Sequence, residues 1–478
     1  MSIVAACCGA MNFGIHTVSF NASRDFAAVD LKWCDDDNAK RATCDTAVKY
    51  GGMLSSFVFL GATLGAGLTS VIVKFGRRKA LLFIHLLNIV GTILCVAAQE
   101  FVTLLIGRLI AGLGVGMSVV VPLYISEISP TKSRGFYSSF YQFFIVFGQL
   151  VTNSLQLLYF RVVEDDKTKE FVLSTTDMFL WRFIIGLPIL FSLISITIFM
   201  TVSRFETPRQ LMVEGKSDEA KKVLTILHGE EELQSEFESV LNDVESSKVS
   251  DASPNMVEDG DGVVASKQLG LIKCMSSPKY FKVIVITLVI SSLSQLSGIN
   301  VLMANATRLF FSILGRVYLA TTVSSMFTMV NLITTIVAVF IIDKVGRRKL
   351  LIVGTVIMSL FMIPASISLI AYPEHQTTQI LCIIGAVGFC IGFSIGFGSV
   401  LWVYFVEVYP PEIKDYSVSA ATLINWISGF AIVLASDAML SYSKALVYSI
   451  FTVVCVVSTV VCVLFVKETS GMAIGKAY

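Results

Sequence analysis

Twelve stretches of this chain run for about twenty residues with almost no charge, and nothing else in the sequence restricts its fold so strongly. A helix needs roughly 20 apolar residues to cross the hydrocarbon core of a bilayer. The runs are Ser2–Phe20, Val48–Val73, Ala80–Ala98, Phe101–Leu123, Phe140–Phe160, Met178–Val202, Val283–Ala304, Tyr318–Ile342, Leu350–Ala371, Gln379–Phe405, Val418–Leu440 and Ala445–Val466. They must be helical, because lipid offers backbone amides no partner and the runs are too long for barrel strands. Only 15% of the 478 residues are charged, against about 25% in soluble domains. The fold expected is therefore an all-α membrane protein with twelve transmembrane helices.

The polar block Ser203–Lys282 divides these spans six and six. The expected domains are a six-helix bundle over 1–203, a cytosolic helical linker domain over 204–282, a second bundle over 283–466 and a cytosolic tail over 467–478. Within the block, Glu214–Leu227 reads as a short charged helix, whereas Pro254–Lys267, acidic and poor in aromatics, reads as disordered.

Orientation follows from basic residues in short loops. The loops after spans 2, 4, 8 and 10 hold eleven Lys and Arg, and those after spans 3, 7, 9 and 11 hold three. The even loops and both termini are thus expected in the cytoplasm, in a multi-pass protein of the plasma membrane. Cys34 and Cys44 then lie outside, in a polar stretch where a short disulfide loop is expected. Asn21-Ala-Ser23 and Asn305-Ala-Thr307 are glycosylation sequons on the same side. The other cysteines outside the central block sit in apolar runs, where a thiol behaves as a small hydrophobe. The run Ile3–Phe20 lacks the basic start of a signal peptide and reads as span 1.

An internal repeat is visible. Val73–Leu82 (VKFGRRKALL) recurs as Asp343–Ile352 (DKVGRRKLLI) at an offset of 270. Glu127, Pro130 and Arg134 recur as Glu407, Pro410 and Lys414 at an offset of 280. Two halves with the same punctuation imply duplication, and duplicated halves are how many secondary transporters alternate access around a midplane site. The loop arginines Arg77, Arg78, Arg347 and Arg348, with Glu127, Glu407 and Asp343, are expected to form ion-pair clusters that hold the halves together on the cytoplasmic side and favour one conformer. Asp343 has Val73 as its repeat partner, so the first cluster lacks one carboxylate and should be the weaker.

Charges within spans are few, as their cost requires. Arg108 in span 4 stands out and is expected to pair with a carboxylate or carbonyls. Neutral polar residues tell more: Gln142 and Gln149 in span 5, Ser294, Gln295 and Asn300 in span 7, Asn331 in span 8, Trp402 in span 10, Asn425 and Trp426 in span 11. Amides both donate and accept, and an indole offers an apolar face with one donor. Such a lining, without a charge pair, suits a neutral polyhydroxylated solute, although Asn and Gln also join membrane helices. Gly112-Leu-Gly114 lies inside a span and serves close helix packing rather than dinucleotide binding. Gly298 is expected where span 7 must bend. A net charge of +1 offers nothing to nucleic acid, and no GxxxxGK[ST] loop supplies ATP chemistry.

These motifs together resemble the sugar porters of the major facilitator superfamily, above all the hexose transporters of apicomplexan parasites. The ordered set covers almost the whole chain: GRRK twice, PLYISEISPTKSRG, ETPRQLMVEGK, QLSGIN, EVYPPEIK and KETSG, with the WC loop and SGINVLMAN closest to the parasite proteins. The resemblance implies two pseudo-symmetric six-helix halves, and a facilitative carrier of glucose, with fructose as a further candidate substrate. It places Gln142, Gln295, Asn300, Asn331, Trp402 and Asn425 around the sugar, and Glu127, Arg134, Glu407 and Lys414 with the two arginine pairs in the cytoplasmic charge network. Three positions depart from the pattern. Ser294 replaces a glutamine, Ser399 the proline of GPxxW, and His16 an aspartate carried by proton-coupled relatives.

The expectation is a uniporter that is no enzyme, binding a hexose between its halves as a monomer in lipid, with no cofactor and no metal. A proton symporter and a non-transporting nutrient sensor are the rivals. His16 separates the first two, since histidine titrates near neutral pH while a lone polar residue on a membrane helix more often bonds a neighbouring helix.

Overall fold

The computed structural model describes residues 1–34, 44–130, 134–161, 175–230, 233–251, 278–410 and 413–469, and these hold helices and no strand. In chain order the helices are α1 (Ser2–Val18), α2 (Ser23–Asp30), α3 (Asp45–Ile72), α4 (Arg77–Ala97), α5 (Phe101–Met117), α6 (Val120–Ile128), α7 (Arg134–Leu155) and α8 (Thr175–Thr201). Then come α9 (Pro208–Val213), α10 (Ser217–His228), α11 (Leu233–Asp251), α12 (Pro278–Leu296), α13 (Ile299–Ala304), α14 (Ala306–Leu314) and α15 (Val317–Val345). The last are α16 (Arg347–Ala371), α17 (Gln376–Phe393), α18 (Ser399–Val408), α19 (Lys414–Tyr442) and α20 (Lys444–Phe465). Pro254–Lys267 lies outside the described residues.

Ten spans among the described residues are long and apolar enough to cross a membrane, and α1 with α2 makes an eleventh bent by 64°. The twelfth expected span is α7, a 22-residue helix whose Gln142, Gln149 and Asn153 dilute its apolar character. Those amides point to a helix that faces the protein interior rather than lipid alone.

Packing repeats between the halves. In the first, α1 packs on α7 and α8, and α4 on α5 and α8; in the second, α12 packs on α19 and α20, and α16 on α17 and α20. The halves meet through two related pairs, α3 with α19 and α7 with α15. This is the duplicated twelve-helix architecture that the repeated motifs predict. Where α3 meets α5 the glycines leave no room for side chains: a Cβ on Gly116 would lie 2.0 Å from the carbonyl oxygen of Ala62.

Two spans break near the middle. Span 7 breaks at Gly298, whose φ of +98° is left-handed and whose Cβ would lie 2.6 Å from the Phe451 ring. Any side chain would therefore be strained twice over. Span 10 breaks at a π-helical turn, Ser394–Gly398. Ser399, standing where relatives of the resembled family carry proline, donates its hydroxyl to Ser394 O at 2.7 Å. Widening of the turn is thus satisfied by a side chain. Outside the bundles, α9 to α11 share a small core of Leu211, Met212, Ala220, Val223, Val240 and Val244.

Candidate functional site

The break in span 7 carries the densest group of amides. Asn300 Nδ2 donates to Gln295 Oε1, and Gln295 Nε2 donates to Asn425 Oδ1 at 2.8 Å. Asn425 Nδ2 in turn donates to Ser294 Oγ at 3.1 Å and Ser291 O at 3.2 Å. Three predicted residues from α12, α13 and α19 thus form one chain, anchored by the serine that replaces a glutamine. Gln295 and Asn300 are only half-buried, so this chain presents amide groups to accessible space. Asn331, buried, accepts from Ser394 Oγ at 2.6 Å and so ties α15 to the π turn. Gln142 is half-buried and makes no hydrogen bond among the described residues, and Trp402 is partly exposed, its ring edge-on to Phe405. Trp426 sits between halves, its ring 5.6 Å from Phe13 of α1 and 6.1 Å from Phe59 of α3.

On the basic face, two charge clusters match residue for residue. Arg77 Nε meets Glu127 Oε1 at 3.0 Å and Arg347 Nη2 meets Glu407 Oε1 at 3.0 Å. The other glutamate oxygen accepts from a threonine, Thr207 Oγ1 on Glu127 and Thr469 Oγ1 on Glu407, each at 2.6 Å. The start of α4 is capped by Glu206, which accepts from Arg78 N at 2.7 Å, and the start of α16 by Glu468, which accepts from Arg347 N at 2.8 Å. A carboxylate at a helix N-terminus is favoured by the helix dipole. The preceding glycines make room: Gly76 (φ +111°) and Gly346 (φ +98°) would place a Cβ 2.6 Å from Glu206 and 2.8 Å from Glu468.

Among the described residues, the hydrogen-bond and ion-pair partners found for Arg77, Arg78, Glu127, Arg348 and Glu407 lie in the same half as each of them, and Arg347 pairs with Glu407 of its own half. The reason is geometric: each arginine opens a helix beside the last residues of the sixth span of its half. In this conformer the described contacts tie helices together within each bundle. The side chains of Arg134, Asp343 and Lys414 lie outside the described residues, so the comparison of carboxylate numbers falls there too.

The opposite face carries the contacts that do cross. Cys34 and Cys44 are joined in a disulfide there. Arg24 of α2 and Arg308 of α14 both bind Asp437 of α19, at 2.8 and 2.9 Å, with Arg24 and Asp437 buried. Around them Asn21 Nδ2 donates to Ser324 Oγ, Asn153 Nδ2 donates to Thr328 Oγ1, and Thr307 N donates to Asn21 Oδ1 at 2.7 Å.

The family model described as "Sugar (and other) transporter" matches residues 1–476. The chain belongs to this sugar transporter family. Among its relatives is hexose transporter 1 of Toxoplasma gondii, 33% identical over 99% of this chain and 81% of that one. The solute carrier family 2 facilitated glucose transporter member 3 of sheep, Ovis aries, is 29% identical over 98% of this chain and 90% of that one. The partially occluded inward-open structure of the xylose transporter XylE from E. coli shares the fold, with a TM-score of 0.76, 22% identity and 99% of each chain covered. The protein is thus a sugar transporter with the major facilitator fold, and not an enzyme.

In this transporter Arg108 is buried and held by carbonyls: Nε donates to Leu54 O at 3.1 Å and Nη1 to His16 O at 3.0 Å. Both sequons are internal. Asn21 and Asn305 are buried, and Asn305 Nδ2 donates to Ser436 Oγ. The sequence reading missed their role, though the signal was present: Asn21-Ala-Ser-Arg24 recurs as Asn305-Ala-Thr-Arg308 at an offset of 284. It also quoted Glu206-Thr207 and Glu468-Thr469 without seeing that they are one repeated dipeptide, following the sixth span of each half at an offset of 262. Asp437, an acid inside an apolar run, was the third overlooked signal.

Proposed function

We propose that this transporter is a facilitative hexose carrier of the plasma membrane, moving glucose, and fructose as a second substrate, by alternating access as a uniporter. The observation that carries the reading is the amide chain Asn300, Gln295 and Asn425 at the break in span 7. It offers neutral donors and acceptors in alternation, which match the hydroxyls of an uncharged sugar. Gln142, Asn331 and Trp402 complete the site from α7, α15 and α18. The names of the relatives from Toxoplasma and sheep support a hexose as the solute. The basic face is cytoplasmic by the loop charges, so the crossing contacts close the extracellular side and the conformer described is open inward. Sugar binding closes α13 about Gly298, and a ligand can shift the equilibrium only by its differential affinity for the two states.

Uniport is supported by the surroundings of Arg108, which rests on two carbonyls and a hydroxyl, with no carboxylate at ion-pair distance among the described residues. Proton coupling has one observation in its favour, since His16 and His85 each bury a ring Nε2 without a partner among the described residues. Purified protein in liposomes separates the readings. A uniporter performs glucose counterflow and never concentrates sugar, a symporter concentrates it under an imposed proton gradient, and a sensor binds without flux. For the site, Gln295→Ala removes the middle of the amide chain and is expected to raise the KM for glucose about ten-fold, the worth of one to two hydrogen bonds. Unchanged uptake kinetics would remove the amide chain from the site.

A further inference from the structure

A cleft of about 380 Å³ opens on the basic face, away from the amides, between the start of α4, the link from α8 to α9, and α10. Its walls carry Arg78, Lys79, Arg204, Lys216 and Lys222 against Glu206, Glu214 and Glu219. Two of these acids are committed. Glu206 caps α4, and Glu214 is paired with Lys216 at 2.8 Å. The cations are not balanced in return. Arg78 donates to the carbonyls of Phe199 and Ser203, and Arg204 to that of Met200. Neither they nor Lys79 nor Lys222 has a carboxylate within ion-pair distance among the described residues. Five cations against three carboxylates thus leave the cleft with a net charge of +2.

The cleft lies where α8 ends and α4 begins, beside the exposed apolar side chains of Phe75, Met200 and Val202. That is the depth at which a membrane helix passes from hydrocarbon to headgroups, and basic pockets there attract anionic headgroups. The matching corner of the second half has the same arginines and capping glutamate but no counterpart of α9 and α10 among the described residues, so the cleft belongs to one half alone.

We propose that this cleft binds a phosphate-bearing anion supplied by the membrane, the headgroup of an anionic phospholipid. The bound phosphate braces the joint between α4 and the α8–α9 link that Arg78 and Glu206 form. The inference does not depend on which sugar is carried or on its coupling.

The test uses the full-length protein in phosphatidylcholine nanodiscs, with phosphatidylglycerol titrated in and retained lipid counted by native mass spectrometry. Lys79→Ala with Lys222→Ala should weaken phosphatidylglycerol retention about thirty-fold. Lys349→Ala, the same position in the second half, should change it less than about two-fold by the same reasoning. Sodium phosphate at millimolar concentration should compete, since it offers the same group. Both variants should keep wild-type melting in phosphatidylcholine alone, because these lysines are exposed. Wild-type retention by the double variant, or equal loss in Lys349→Ala, would overturn the proposal. So would binding of free phosphate with no retention of the lipid.

Discussion

The two faces of the transporter use the same chemistry, arginine against a buried carboxylate, to join different things. On the basic face the pairs Arg77–Glu127 and Arg347–Glu407 each stay within one half. On the disulfide face Arg24 of the first half and Arg308 of the second share one carboxylate, Asp437. The difference shows what duplication can and cannot produce. Copying a half copies its internal lock, so the two clusters repeat down to the threonine. A clamp between halves has no second copy; it is built where the repeated Asn-Ala-Ser/Thr-Arg segments converge on a single unrepeated acid.

If that distinction is right, removing the shared acid has the largest effect. Asp437→Asn takes the shared carboxylate from buried Arg24 and part-buried Arg308 and leaves Asp25 as the acid beside them, a loss of about 3 kcal/mol, the lower end for a broken buried pair. Glucose uptake should collapse, and a cysteine placed beside the amide chain between the halves should gain access to a membrane-impermeant reagent from the disulfide side. Asp437→Glu should recover part of both.

Arg77→Ala and Arg347→Ala form the contrasting pair. Arg77→Ala should cost about 1–3 kcal/mol of thermal stability, because the buried Glu127 carboxylate loses its charged donor, and Arg347→Ala less, because Glu407 is part-exposed. Neither should change which face is open, since neither joins the halves; a shift in accessibility comparable to that of Asp437→Asn would return the clusters to a role between halves. Gly76→Ala is a smaller version of the same test. A left-handed φ costs a non-glycine residue about 1–3 kcal/mol, and its Cβ would displace the Glu206 cap, so melting should fall without loss of sugar binding. The smallest effect is at Asn21: glycosidase treatment should leave the electrophoretic mobility unchanged, because the sequon is buried in the clamp.

What could be read from the sequence followed from local pattern. Apolar runs gave the spans, the two GRRK loops exposed the duplication, and amides in otherwise apolar helices marked the cluster at Gln295, Asn300 and Asn425. The rest depended on distance along the chain. Arg24 and Asp437 stand 413 positions apart, and no periodicity links them. Glu206 and Glu468 look like ordinary solvated acids until the helix they cap is placed beside them. Ser399 illustrates a third limit. It reads as a lost hinge because proline is missing, whereas its hydroxyl supports a π turn that breaks span 10 by other means.

The central claim is that the halves are clamped on one face, free on the other, and exchange these states when sugar binds. Spin labels at Thr46 and Tyr442 would report the disulfide face, and labels at Lys74 and Lys344 the basic face, all at exposed positions. Without sugar, the first pair should give a short, narrow distance distribution and the second a longer, broader one. Saturating glucose should add a population in which the first pair separates and the second approaches. Two distributions that ignore glucose, or that lengthen together, would contradict the account.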